Sequence, residues 1–162
     1  GARPLGPGAF FCNGANRGDR MADPDDADIA DILKSTRVIA VVGFSPKPDR
    51  PSHRVARFLQ SKGYRVIPVN PGIAGQVHLG EVVYPNLGSI PADAAIDMVD
   101  VFRQSDAVPG VVDEALAALP DLRTIWMQLG VGHASAATVA EAAGLRVVQN
   151  RCPAIEYPRL LG

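Results

Sequence analysis

Five short apolar runs, interleaved with stretches of helical periodicity, constrain this chain more than any other feature. Val38-Ile39-Ala40-Val41-Val42 is an unbroken, mostly β-branched run that stops at Gly43. Such continuity marks a strand covered on both faces, not one wetted on one side. Arg65 to Val69, Ala95 to Phe102, Thr124 to Leu129 and Leu145 to Gln149 repeat the signal. A further short strand is expected at Val82-Val83-Tyr84, inside the otherwise loop-like residues 72–90. The intervening segments read as helices. Asp25 or Asp26 can cap the first, whose Ile29, Ile32 and Leu33 fall at i, i+3 and i+4. Pro51 suits the first turn of a second, striped by Val55, Phe58 and Leu59 and closed at Gly63. Ser105 is placed to cap a third, with its stripe at Val108, Val111, Val112, Ala115, Leu116 and Leu119 and Pro120 at its end. Ser135 to Ala143 is an alanine-rich fourth, closed by Gly144. Strands alternating with helices require parallel pairing and right-handed crossovers. The expected fold is α/β: a single Rossmann-like, doubly wound domain, with a mostly parallel five-stranded sheet and helices on both faces.

The 162 residues suffice for one such domain with a real core. Its expected extent is 23–162. Residues 1–22 differ: Gly1 to Arg20 carries two prolines, three arginines and one acid, Asp19, and lacks the apolar core of a signal peptide. They read as a disordered leader, or as an upstream artefact ahead of Met21. Sixteen basic and seventeen acidic residues give a net charge of −1, which argues against a general nucleic-acid or membrane-surface binder. No apolar run approaches the roughly 18 residues of a membrane span. Cys12 and Cys152 form no CxxC pair, which excludes a disulfide scaffold or thiolate zinc site as the organising principle and suits a reducing cytoplasm.

In an open parallel sheet, ligands bind beyond the carboxyl ends of the strands, where the winding reverses. The first such end, Gly43-Phe44-Ser45-Pro46-Lys47-Pro48-Asp49-Arg50-Pro51-Ser52, is the most informative. Gly43 permits close approach of backbone to a ligand, and Ser45 offers a hydroxyl beside a phosphate at the following helix N-terminus. From Ser45 to Arg57, four cations (Lys47, Arg50, Arg54, Arg57) face one acid, Asp49, leaving a local +3 on a chain of net −1. A solvated helix face would also be basic, but this cluster coincides with a strand–helix turn, which favours a phosphate site. The dinucleotide fingerprint GxGxxG is absent. Asn70 stands where an acid would hold the ribose of NAD, and no GxxxxGK[ST] loop occurs. A ligand with extra phosphate and no demand for that acid fits best, and coenzyme A, with a diphosphate and a 3′-phosphate, meets that description.

The run from Val41 to Ser52 is followed in order by Pro68-Val69-Asn70-Pro71, Asp100-Val101-Phe102-Arg103, Trp126-Met127-Gln128-Leu129-Gly130-Val131 and Arg151-Cys152. Together these closely resemble the small stand-alone CoA-binding proteins of the YccU-like family, over roughly residues 29–160. The resemblance implies a fold related to the N-terminal domain of the succinyl-CoA ligase α subunit, with CoA along the strand ends. Carried over by residue, it implies that Gly43, Phe44 and Ser45 form the phosphate turn, with charge from Lys47 and Arg50 and with Ser52 beside them. It further implies that Asn70 and Pro71 border the nucleotide, that Val101, Phe102 and Arg103 flank its adenosine or phosphate end, and that Gln128, Leu129 and Gly130 face the pantetheine path. His53 stands where the family usually has Tyr, and Gln149-Asn150 replaces the usual acid before Arg151-Cys152.

Several of these residues have simpler readings. Phe102 reads equally as a core aromatic or a ligand contact, whereas Arg103, a cation ending a buried strand, calls for an anionic partner. His53 reads as solvated or packed, His78 as a loop residue without metal partners, His133 as a helix-start residue, and Trp126 and Met127 as core. Cys152 reads first as a buried inert thiol, although it lies where a CoA thiol would approach. No GxSxG elbow, HExxH site or kinase signature set is present, and Asp97 and Asp100, three apart on a strand, face opposite sides. The expected function is therefore non-catalytic binding of CoA or acyl-CoA by a carrier, sensor or partner-modulating protein. The alternatives are a small NAD(P)-type oxidoreductase, an acyl-CoA ligase-like subunit needing a partner chain, and an interaction module with a vestigial crevice. An exposed face at Ala136-Ala137-Ala140 would support a homodimer or an unidentified protein partner.

Overall fold

The computed structural model describes residues 24–162, so the expectations for residues 1–22 and for Cys12 lie outside the described residues. β1 (Val38–Val42) pairs in parallel with β2 (Arg65–Val69) on one side and with β5 (Met98–Val101) on the other. β6 (Thr124–Met127) and β7 (Arg146–Val148) extend the sheet beyond β5, also in parallel. The order β2-β1-β5-β6-β7 is that of a doubly wound sheet of five parallel strands. A small antiparallel hairpin, β3 (Val77–His78) with β4 (Glu81–Val82), occupies the segment read as mostly loop, and Tyr84 bridges back to Val69.

Side chains alternate across the sheet, and each face has its own helical layer. Ile39, Val41, Met98, Trp126 and Val148 pack beneath α1 (Asp26–Ser35), α2 (Pro51–Ser61) and α5 (Pro153–Leu161). Ala40, Val42, Val99, Val101, Ile125 and Met127 pack beneath α3 (Val108–Ala118) and α4 (Ala134–Ala142). α2 leaves β1 for one face while α3 leaves β5 for the other. Because β1 and β5 are neighbours, the winding reverses between their carboxyl ends.

Several boundaries differ from the sequence reading, each for a local reason. The strand expected from Ala95 begins only at Met98, because Ala92–Ala94 form a 3-10 turn and Ala95 adopts φ +58°. Just before it, the Asp97 carboxylate accepts the backbone N–H groups of Arg37 and Val38 at 2.9–3.2 Å. Ser105 does not cap α3; it starts a 3-10 turn (Ser105–Ala107), and its Oγ accepts the Gly132 N–H at 3.1 Å. Asp25 is the cap of α1, accepting the Asp28 N–H at 2.8 Å. Ala136, Ala137 and Ala140 are buried in the core, not presented as an exposed face.

α5 is the element that sequence reading missed. Pro153 opens it and Pro158 lies inside it, while Ala154, Tyr157, Leu160 and Leu161 pack against the layer of α1 and α2. Arg159 ties it to α1 through Asp26 at 2.8 Å and also pairs with Glu156.

Candidate functional site

A crevice of about 880 Å³ opens at the reversal of winding, a size suited to a small-molecule ligand. Four segments wall it. α2 contributes Pro51, Arg54, Val55 and Phe58; the end of β5 contributes Phe102, Arg103 and Gln104; the end of β6 contributes Gln128 to Val131; and Cys152, Ala154 and Ile155 come from the start of α5. All four meet on the α2/α5 side of the sheet.

The turn after β1 is bound internally. The Gly43 and Phe44 N–H groups both donate to the Val69 carbonyl, at 3.1 and 3.3 Å. Ser52 Oγ accepts the Ser45 N–H at 2.9 Å, Ser45 Oγ accepts the Lys47 N–H at 3.2 Å, and His53 Nδ1–H donates to the Ser45 carbonyl at 2.9 Å. Asn70 locks the same turn from the side: its Nδ2 donates to the Phe44 carbonyl and its Oδ1 accepts the Gly72 N–H, each at 2.7 Å. The positive φ of Gly43, +91°, has a packing cause. A Cβ there would lie 2.3 Å from the Phe102 carbonyl oxygen, so glycine is what lets β1 and β5 end side by side.

The structure therefore divides the residues singled out from sequence. Phe102, Arg103, Gln128, Leu129 and Gly130 line the crevice. Phe44 does not: its ring is fully buried, tilted 32° to the His53 ring at 5.3 Å between centroids and 5.8 Å from that of His78. Val101 lies in the α3/α4 core, since one residue along a strand turns the side chain to the other face. Gly43, Ser45, Ser52 and Asn70 build the turn. Lys47, Arg50 and Pro71 are exposed but outside the crevice wall. His133 caps α4, accepting the Ala136 N–H on Nδ1 at 3.1 Å, and Trp126 is core, donating Nε1–H to the Arg151 carbonyl at 2.8 Å. The wall residues that reading missed come from α5 and from the second turn of α2. Pro153 followed by an apolar stripe was the available signal for the former.

The electrostatics favour an anion at the rim. Arg54 and Arg103 are exposed wall residues, and among the described residues no carboxylate pairs with either of them or with Lys47, Arg50 or Arg57. Arg54 Nη1 donates to the Asp49 carbonyl, which steadies the guanidinium without neutralising it. α2 has no acid in its first turn and no side-chain cap, so its positive dipole end stands beside these cations. Deeper in, the wall is mostly apolar, with two polar exceptions: Gln128, whose buried Oε1 has no hydrogen-bond partner, and the thiol of Cys152. No group of side chains among the described residues could hold a metal ion, and no described helix is long and apolar enough to cross a membrane.

A doubly wound sheet with a ligand-sized crevice at its switch point defines a binding domain of the Rossmann-like class. More particularly, the chain belongs to the CoA binding domain family, whose model matches residues 37–158. It is 39% identical over 132 residues to the uncharacterized protein YneT of Bacillus subtilis (strain 168), covering 82% of this chain and 93% of that one. A hypothetical protein from Pyrococcus horikoshii OT3 superposes with a TM-score of 0.79 at 36% identity, over 88% of this chain and 96% of the other. A dinucleotide forming acetyl-coenzyme A synthetase of Ca. Korarchaeum cryptofilum, in complex with phosphate and ADP, is similar at 25% identity and a TM-score of 0.57. That match covers 73% of this chain and 27% of the synthetase chain.

Proposed function

We propose that this protein binds coenzyme A, or an acyl-CoA, in the crevice between α2 and α5, as a non-catalytic carrier, sensor or modulator of a partner. The observation that carries the reading is the crevice wall itself: unpaired arginines at the rim, an apolar interior and a single unsatisfied amide within it. CoA has the complementary layout of phosphates at one end and an amide-bearing aliphatic arm at the other. Membership of the CoA binding domain family and the likeness to an acetyl-coenzyme A synthetase support the same ligand. The non-catalytic role accords with the wall's composition: among the described residues neither histidine nor carboxylate lines it, and acid–base chemistry draws mostly on those groups.

Parallel calorimetric titrations with CoA, dephospho-CoA, acetyl-CoA and NAD at moderate salt test this reading. Saturable binding of CoA is expected, weakened about fivefold or more for dephospho-CoA through loss of charge-assisted contacts, with NAD silent. Heat and thermal stabilisation from NAD but none from CoA would overturn it.

A further inference from the structure

We infer that Cys152 receives the thiol end of the ligand, and that it exchanges with a CoA disulfide to give a mixed disulfide, Cys152–S–S–CoA. The inference rests on the CoA reading above and extends it to the inner end of the crevice. Two independent observations meet there. Cys152 is a free cysteine, 6% exposed, and it lines the crevice. Gln128 lines the same space, is also 6% exposed, and its Oε1 has no partner. A buried amide oxygen left without a donor costs about 1–3 kcal/mol, so an occupant bringing an N–H into this apolar wall is favoured. The pantetheine arm brings that donor: it is an aliphatic chain interrupted by secondary amides and ended by a thiol. Val55, Phe58 and Ile155 line the same crevice and offer apolar contact.

The chemistry balances without any further oxidant. The Cys152 thiol gives its proton to solvent, and the thiolate attacks one sulfur of the CoA disulfide. The Cys152–S bond forms as the original S–S bond breaks, and its electron pair leaves on a CoA thiolate that is protonated by water. Cys152 is oxidised, and half of the CoA disulfide is reduced to CoA. Reduced CoA, which carries no S–S bond to exchange, binds in the crevice without reacting with Cys152.

The test uses the full chain, with C12S and C152S variants beside the wild type, incubated with CoA disulfide or glutathione disulfide and weighed intact without reductant. One adduct is expected, heavier than the protein by CoA less two hydrogens, retained in C12S and absent from C152S. Peptide mapping of the wild-type adduct locates it even if C152S fails to fold. The rate with CoA disulfide should exceed that with glutathione disulfide about tenfold or more, the signature of prior binding in the crevice, and Q128L should narrow that ratio. An adduct on Cys12 alone, or equal rates with the two disulfides, overturns the inference. A parallel titration of the wild type with CoA under excess phosphine reductant separates the two claims. CoA binding there, together with no Cys152 adduct in the reductant-free incubations with CoA disulfide, defeats this inference alone, whereas no binding there defeats the CoA reading and this inference with it.

Discussion

Asp100 lies mid-sheet in register with Val41 of β1 and Trp126 of β6, fully buried, and neither carboxyl oxygen has a hydrogen-bond partner. Burial pushes its pKa well above the usual carboxylate range, so the folded protein holds a proton that the unfolded chain releases above about pH 4. Stability from this group is complete below that pH and is lost as pH rises towards the folded-state value. D100N should therefore be more stable than the wild type at pH 7, by about 1 kcal/mol or more, with the gap closing towards pH 4. Denaturant midpoints across that range check this, and parallel curves would contradict it. The sequence expectation puts Asp97 and Asp100 on opposite sides of one strand, but Asp97 lies just before β5, so alternation along the strand does not apply to it. Asp97 finds the Arg37 and Val38 N–H groups only because β1 begins beside it, a tertiary fact with no local signature.

At the scale of elements, strands and helices with strong periodicity were legible from residues alone, and so was the location of the site at their carboxyl ends. Other features depend on partners distant in sequence. α5 was unreadable because Pro158 breaks its pattern, yet its packing on α1 and α2 outweighs that cost. A glycine after a strand can serve a ligand approach or a packing need, and the packing need at Gly43 is visible only once the neighbouring strand is in place. The Phe102 carbonyl, 2.3 Å from where a Cβ would stand, establishes the packing need. G43A should accordingly lose about 2–4 kcal/mol of stability by chemical denaturation, combining a strained φ with overpacking. A loss below about 1 kcal/mol would show that the β1–β5 junction can shift to make room. The same element logic applies to Tyr64, whose hydroxyl donates to the Leu33 carbonyl. Burial raises its pKa to about 12, so it keeps its proton and helps hold α1 near the start of β2.

The whole molecule is nearly neutral, but its charge is not evenly spread. Cations unpaired by any described carboxylate gather on α2 and the loop before it, and Arg103 joins them from the end of β5. Sequence identified the basic cluster and the family motifs around it. It could not tell which cations face the crevice, because that depends on the rotation of α2 and on where the loop folds back. The structure puts Arg54 and Arg103 in the wall and leaves Lys47 and Arg50 outside it. Whether CoA sits in this crevice is decided by titrating CoA at fixed salt into the wild type, K47A and an R54A/R103A double variant. We predict a loss of affinity of about 30-fold or more for the double variant, against about threefold or less for K47A. Wild-type affinity in the double variant, or a larger loss in K47A, would place the ligand outside this crevice.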